Sequence, residues 1–182
     1  MIGSSGAPFS WEVLYLCVFD PRDDSPSVEH AYPEPLSIEH DHSSLALDEE
    51  TLERLVRHVV EAEGGELVHV SLVLSDHATV RELNRSYLDH DYNTDVLSFS
   101  LRADEADGSV DDVEGEVYVD LDTAAERHGE FDTSFEREAY RYVVHGVLHL
   151  LGYDDATESG RQAMRDREDQ YLDAVLPVDP LS

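Results

Sequence analysis

The sequence predicts an α+β or α/β domain built on one small sheet, and three observations carry that prediction. Strand-like runs rich in Val and Leu alternate with stretches of helical period, and no internal repeat is visible. Leu, Ile, Val and Phe supply 48 of 182 residues, enough for a core despite strong charge. The length itself fits one domain.

The elements follow in order. Residues 1–35 read as an N-terminal extension in which the apolar patch Val13 to Phe19 is a candidate edge strand between turn-rich, acidic segments. The domain proper is expected over 36–176, with 177–182 as a tail. Leu52, Leu55, Val56, Val59 and Val60 recur at helical spacing behind an Asp48 cap, and Gly64-Gly65 ends that helix. Leu67 to Leu74 is dense enough in Val and Leu to be a central strand buried on both faces. Asp76 can cap a second helix with Val80, Leu83 and Tyr87 on one side. Asp95–Leu101 and Glu116–Leu121 read as two more strands, separated by an acidic stretch from Asp104 to Glu116 expected to be a solvated loop. A short helix is predicted from about Thr123 to Gly129. A longer one starts at Thr133 or Ser134, where Thr133-x-x-Glu136 fits a capping box, and stops at Gly152. The last helix runs from about Ser159 to Val175 with Met164, Tyr171, Leu172 and Val175 inward, and Pro177 closes it.

Forty-two Asp and Glu against 12 basic residues give a formal charge of −30, and all 12 cations are Arg. Such acidity ordinarily argues against a nucleic-acid partner, because phosphate is attracted to basic surface. No apolar run reaches a membrane span, and the N-terminus lacks a secretory signal, so a cytoplasmic location is expected. The single cysteine, Cys17, excludes an internal disulfide and a cysteine metal cluster.

The stretch that carries chemistry is His145-Gly146-Val147-Leu148-His149-Leu150-Leu151-Gly152-Tyr153-Asp154-Asp155. Histidines at i and i+4 sit about 40° apart around a helix, so both imidazoles reach one small cation. Gly152 permits the left-handed turn that brings Asp154 or Asp155 back over them, which leaves a fourth tetrahedral position for water. Gly146 stands where zinc peptidases of the H-E-x-x-H type carry their catalytic Glu, which disfavours peptide hydrolysis.

These residues resemble the H-G-x-L-H-L-x-G-Y-D-H signature of the bacterial YbeY family of metal-dependent endoribonucleases. Leu83-Asn84 with Tyr87, Thr94-Asp95-Val96-Leu97-Ser98-Phe99 and Gly115-Glu116-Val117-Tyr118-Val119 are similar to further family segments, in the same order and spacing. The resemblance implies an α+β domain, with a mixed sheet of about four strands packed with about five helices and the metal site at the end of a central helix. It implies a zinc-dependent, single-strand-specific endoribonuclease of ribosomal RNA maturation, acting at the 16S rRNA 3′ end and in ribosome quality control. RNA or the ribosomal subunit would be the partner, with neither membrane nor DNA specificity. Carried over, the metal ligands are His145, His149 and Asp155, with one Zn²⁺ per chain and a metal-bound water as the expected nucleophile, because no general base is evident.

The chain departs from the family pattern at two places. Asp155 stands where the family has a third His, which adds a negative charge at the metal and favours harder cations such as Mn²⁺. Asp154 is then either a second-sphere acceptor or a turn cap. Leu88 stands where many members carry an Arg facing the cleft; Arg85 is a possible substitute and His90 a possible phosphate contact. Thr94, Asp95 and Ser98 would lie on a strand beneath the cleft. The lost Arg supports a rival reading, a ribosome-associated binding module with a structural zinc and little catalysis. Under the family reading the −30 describes the solvent: at about 1 M salt the Debye length is about 3 Å, so diffuse repulsion from RNA vanishes and a halophilic cytoplasm is expected.

Overall fold

Four strands and five α-helices are distributed along the computed structural model, which describes residues 34–88, 91–101 and 112–176. They are β1 (Leu36–His40), α1 (Glu49–Ala62), β2 (Glu66–Ser75), α2 (His77–Leu88), β3 (Val96–Ser100), β4 (Asp112–Asp120), α3 (Leu121–Arg127), α4 (Phe135–Leu150) and α5 (Glu158–Val175), with a 3-10 turn over His128–Phe131. The sheet order is β1-β2-β4-β3; β1 and β4 pair parallel to β2, and β3 pairs antiparallel to β4. The fold is therefore α+β with a mixed sheet, as the resemblance implies. The Val13–Phe19 patch, His90 and Pro177 lie outside the described residues.

Local chemistry sets most boundaries. Asp48 caps α1 by accepting from Thr51 N at 2.8 Å, and Asp76 does the same for α2 through Thr79 N at 2.9 Å. The chain leaves α1 through Gly64 at φ +78°, where a side chain would be strained. Val80 is fully buried in α2, but Tyr87 is 70% exposed and lies over Phe99, so it belongs to the rim of the outer sheet face.

Other boundaries differ from expectation. β1 has no strong sequence signal, yet Leu36 and Ile38 alternate inward with Ser37 and Glu39 outward, and the strand forms because β2 offers it an edge. β2 is buried on both faces only over Leu72–Ser75; nearer its start Val68 is 44% exposed, because α2 packs chiefly on β3 and β4. The acidic stretch is not all loop: Asp112, Glu114 and Glu116 occupy β4, alternating with buried Val113, Gly115 and Val117. Period-2 alternation puts the acids on the outer face, so charge density does not break the strand. β4 then stops at Asp120, whose side chain caps α3 by accepting from Thr123 N at 3.0 Å, so Leu121 opens a helix rather than closing a strand. Similarly, α4 is capped by Ser134, which accepts from Arg137 N at 3.2 Å; the Thr133–Glu136 capping box does not form, and Thr133 Oγ1 is left without a hydrogen bond.

α4 is the central helix, packed between β3–β4 and helices α1, α3 and α5. Two glycines make that packing possible. A Cβ on Gly146 would lie 2.5 Å from Val117 Cγ1 and 3.0 Å from Val96 Cγ2; one on Gly115 would lie 2.5 Å from the Phe99 carbonyl and 2.7 Å from Leu150 Cδ2. At its end the helix closes in a Schellman turn, with Tyr153 N donating to Leu148 O and Gly152 N to His149 O, both at 3.0 Å, and Gly152 at φ +91°. Glu63, just after α1, accepts from the Tyr153 hydroxyl at 2.7 Å, from Arg167 Nη1 at 2.6 Å and from the Tyr171 hydroxyl, tying the turn and α5 to α1.

Candidate metal centre

Residues 145 and 149 project from the last turns of α4 toward α5, and the Schellman turn returns the chain so that Asp155 joins them. The donor atoms of His145, His149 and Asp155 lie within 4.8 Å of one another. The two Nε2 atoms are 3.0 Å apart, and Asp155 Oδ2 is 3.8 Å from His145 Nε2. The structure thus brings together the three residues that the sequence offered as candidate metal ligands.

What fixes the rings is on their far sides. His145 Nδ1 faces Glu168 Oε1 at 2.8 Å, and His149 Nδ1 faces the Tyr153 carbonyl at 3.0 Å. Both partners are acceptors, so each Nδ1 carries the hydrogen and each Nε2 presents its lone pair to the same point. Two lone pairs 3.0 Å apart repel unless a proton or a metal cation lies between them, and two Zn–N bonds of about 2.0–2.1 Å at a tetrahedral angle would place their nitrogens about 3.3–3.4 Å apart. The donor set thus fits a small divalent cation on one edge of its coordination shell, with a carboxylate as the third ligand.

Without a cation the same contacts favour a proton between the two rings, so metal binding there would displace one. Burial alone would lower His145, but the Glu168 carboxylate outweighs it and holds the imidazole above its ordinary value. His149 is pushed down by burial and by the His145 charge. Burial would raise Glu168, which is only 4% exposed, but His145 and Arg141 hold it below the ordinary carboxylate value. Arg141 completes the shell by donating to Glu168 Oε2 at 3.1 Å and Asp169 Oδ1 at 2.7 Å.

The remaining sequence candidates separate clearly. Asp154 is a turn cap: its Oδ1 accepts from Ala156 N at 2.9 Å. Ser98 Oγ donates to the Gly146 carbonyl at 3.0 Å and pins α4 to β3. Thr94 and Asp95 start β3, Asp95 Oδ1 accepting from Val96 N at 3.1 Å, and Asp95 also lines the cavity beside His145. Arg85 does not replace a cleft cation, because it pairs with Glu82 and lines a separate hollow with Arg81 and Asp91. Leu88 closes α2, and its side chain lies outside the described residues. At Gly146, the position a peptidase would give to its Glu points at Val117 and Val96 in the sheet, so no base fits there.

Sequence reasoning missed Glu168, Arg141 and the cavity of about 420 Å³ that they line with His145 and Asp155. The available signal was Glu168 itself, an acid that falls on the inward stripe of Met164, Tyr171 and Leu172 in α5. A second group, His77, Asp120 and Asp122, also brings potential ligands together. There His77 Nδ1 lies 2.5 Å from Asp120 Oδ2, which also accepts from Thr123 Oγ1 at 2.9 Å, and Asp122 accepts from His77 N at 3.2 Å and from His42 Nε2 at 3.1 Å. Those atoms are already satisfied as a clamp joining the β4 end to α2 and α3.

Comparison with known proteins places this geometry. Residues 37–176 match the family described as Endoribonuclease YbeY. A curated Endoribonuclease YbeY from Salinibacter ruber is 70% identical over 150 residues, covering 81% of this chain and 96% of that protein. One from Chlorobium phaeobacteroides is 40% identical over 126 residues, covering 69% and 87%. The solution structure of TM1509 from Thermotoga maritima is similar with a TM-score of 0.53 and 28% identity, covering 81% of this chain and 99% of that one. The spacing of the candidate ligands, the mixed sheet and the match across nearly the whole described domain lead to one conclusion: the chain belongs to the endoribonuclease YbeY family.

Proposed function

We propose that the protein is a metal-dependent endoribonuclease that cuts single-stranded RNA, acting in maturation of ribosomal RNA at the 16S 3′ end and in ribosome quality control. One zinc ion per chain is the proposed cofactor, and residues 36–176 the catalytic domain. The observation that carries this reading is the convergence of His145 Nε2 and His149 Nε2, each ring locked by an acceptor on its other nitrogen. A cation bound there would supply Lewis acidity toward a phosphoryl oxygen and a water activated at neutral pH.

The chain's own residues do the rest. Glu168 and the Tyr153 carbonyl orient the two imidazoles, and Arg141 keeps Glu168 ionised and in place. Asp155 adds a carboxylate, which lowers the net charge at the centre and supports a softer activation of water than three imidazoles give. The absence of a carboxylate at position 146 removes the general base that peptide hydrolysis would use.

The test compares native, chelator-stripped and zinc- or manganese-reloaded protein on single-stranded RNA, duplex RNA and casein. Cleavage of single-stranded RNA alone, lost on chelation and restored on reloading while the circular dichroism stays folded, is the expected outcome. RNA cleavage that survives complete metal removal would overturn the reading, as would ribosome binding without any cleavage by the loaded protein.

A further inference from the structure

The two imidazoles of the candidate centre are aimed by acceptors that reach them from different elements. His149 Nδ1 faces the carbonyl of Tyr153, in the turn that follows α4, and His145 Nδ1 faces Glu168 on α5. Their Nε2 atoms therefore converge only while that turn and the middle of α5 keep one fixed relation. Arg161 braces the connecting loop by donating to the carbonyls of Asp155 at 3.0 Å and Ala156 at 3.2 Å. It stands about two turns before Glu168, so it fixes the start of α5 rather than the part that aims His145.

Glu63, the C-terminal cap of α1, links those two parts directly. Its Oε2 accepts from the Tyr153 hydroxyl at 2.7 Å, and its Oε1 accepts from Arg167 Nη1 at 2.6 Å and from the Tyr171 hydroxyl. Arg167 comes one residue before Glu168 on α5 and Tyr171 three residues after it, so the carboxylate grips the helix on both sides of that residue. Arg167 ties the group together: its Nη1 donates to the Tyr171 hydroxyl at 3.2 Å, and its Cζ lies 5.8 Å from the centroid of the Tyr153 ring. The contact is enclosed, with the Glu63 side chain only 11% exposed and Tyr171 fully buried. Burial, and then the bond to Glu63, pushes both phenols above their ordinary value, so each keeps its proton and donates. Glu63 also stands at the negative end of α1, whose last turn holds no basic residue, and the helix itself disfavours a carboxylate there. The donors that hold it come from the ligand turn and from α5.

We infer that Glu63 is a positioning residue for the metal centre: through Tyr153 on one side, and Arg167 and Tyr171 on the other, its carboxylate fixes the relative placement of the two acceptors that aim His149 and His145. Metal affinity is then set in part from α1, a helix that contributes none of the ligands. This inference rests on reading His145, His149 and Asp155 as a metal centre, and on no other part of the proposed function. Removing the carboxylate leaves the three ligands and both direct acceptors in the chain and loosens only their mutual geometry, which is the kind of change that weakens a metal site without abolishing it.

The test uses full-length protein in about 1 M KCl, where repulsion among its acids is screened. Zinc affinity is read by competition with a chromogenic chelator, ligand geometry by the visible spectrum of the Co²⁺-loaded protein, and the fold by circular dichroism and melting temperature. Tyr153→Phe, which keeps the ring under Arg167 and removes only the hydroxyl, is expected to weaken zinc binding about tenfold and to shift the Co²⁺ spectrum. Glu63→Gln should do the same, and Tyr171→Phe should act in the same direction from the His145 side. Because Tyr153 acts through Glu63, the double variant Tyr153→Phe with Glu63→Gln should bind zinc within about twofold of either single variant. Glu53→Gln, on the exposed side of α1 where Glu53 pairs with Arg57, should change nothing. Should Glu63→Gln fail to fold, Tyr153→Phe and Tyr171→Phe carry the test. Folded variants with the zinc affinity and Co²⁺ spectrum of wild type, whatever their melting temperature, would make Glu63 a purely structural tie and overturn the inference while the metal centre stands. A double variant whose loss is the product of the single losses would also overturn the route through Glu63. If wild type binds neither zinc nor Co²⁺, the metal reading itself falls, and this inference with it.

Discussion

Asp154 and Asp155 are chemically identical neighbours with different tasks, and the turn decides which is which. Asp154 spends its carboxylate on Ala156 N, whereas Asp155 approaches His145 Nε2 at 3.8 Å. Asp155→Ala is therefore expected to lose most of the bound metal in elemental analysis. Asp154→Ala should keep its metal and lose about 1 kcal/mol of stability through its turn cap. Equal retention in both variants would remove Asp155 from the ligand set. His145, His149 and an acid after the Gly stop were legible in the sequence from a helix repeat and a turn, but choosing Asp155 over Asp154 rested on the resemblance to the family signature. Glu168 and Arg141 were not, because their meaning depends on α5 crossing α4, and no local pattern encodes that crossing. Arg85 shows the converse: sequence position put it near the cleft, and the Glu82 carboxylate beside it takes its charge.

Helix starts and stops depend on a few adjacent atoms, which is why Asp48, Asp76 and Gly152 could be read directly. Strands depend on partners. β1 is a five-residue edge whose inward pair, Leu36 and Ile38, means little until β2 is beside it, and the acids of β4 obscure an alternation that only a covered inner face makes visible. The capping box failed because Ser134 competes for the same helix start one residue later. Packing of α4 on the sheet gives a stability prediction for the element as a whole. Gly115→Ala drives a Cβ to 2.5 Å from a strand carbonyl that cannot rotate away, so it is expected to cost about 1–3 kcal/mol. The melting temperature should fall by about 2–4 °C per kcal/mol, and metal affinity should fall with it because Leu150 adjoins His149. An unchanged melting temperature would show that the α4–β4 contact is looser than these distances.

Across the whole molecule, the charge of −30 acts on stability and on RNA encounter alike. Self-repulsion among exposed acids weakens as the Debye length contracts from about 10 Å at 0.1 M salt to about 3 Å at 1 M. We expect the melting temperature and the RNA-cleavage rate to rise together over that range of KCl; a protein most stable and most active near 0.1 M would require another account of its acidity. Sheet order carries a further consequence, for the path by which the chain folds. β1 reaches β2 through α1, and β3 lies beside β4, so each outer pair closes over a short stretch, whereas the central parallel pairing of β2 with β4 joins segments that begin at Glu66 and Asp112. That junction has the longest loop to close and should form last. The two halves that meet there are both acidic: residues 36–75 hold nine acids against two arginines, and residues 96–120 hold eight against one. Their docking is a collision of like charges in the transition state, so stopped-flow refolding should accelerate steeply with KCl while unfolding changes little. In this protein salt would then govern how fast the central strands find each other as well as how firmly they stay together.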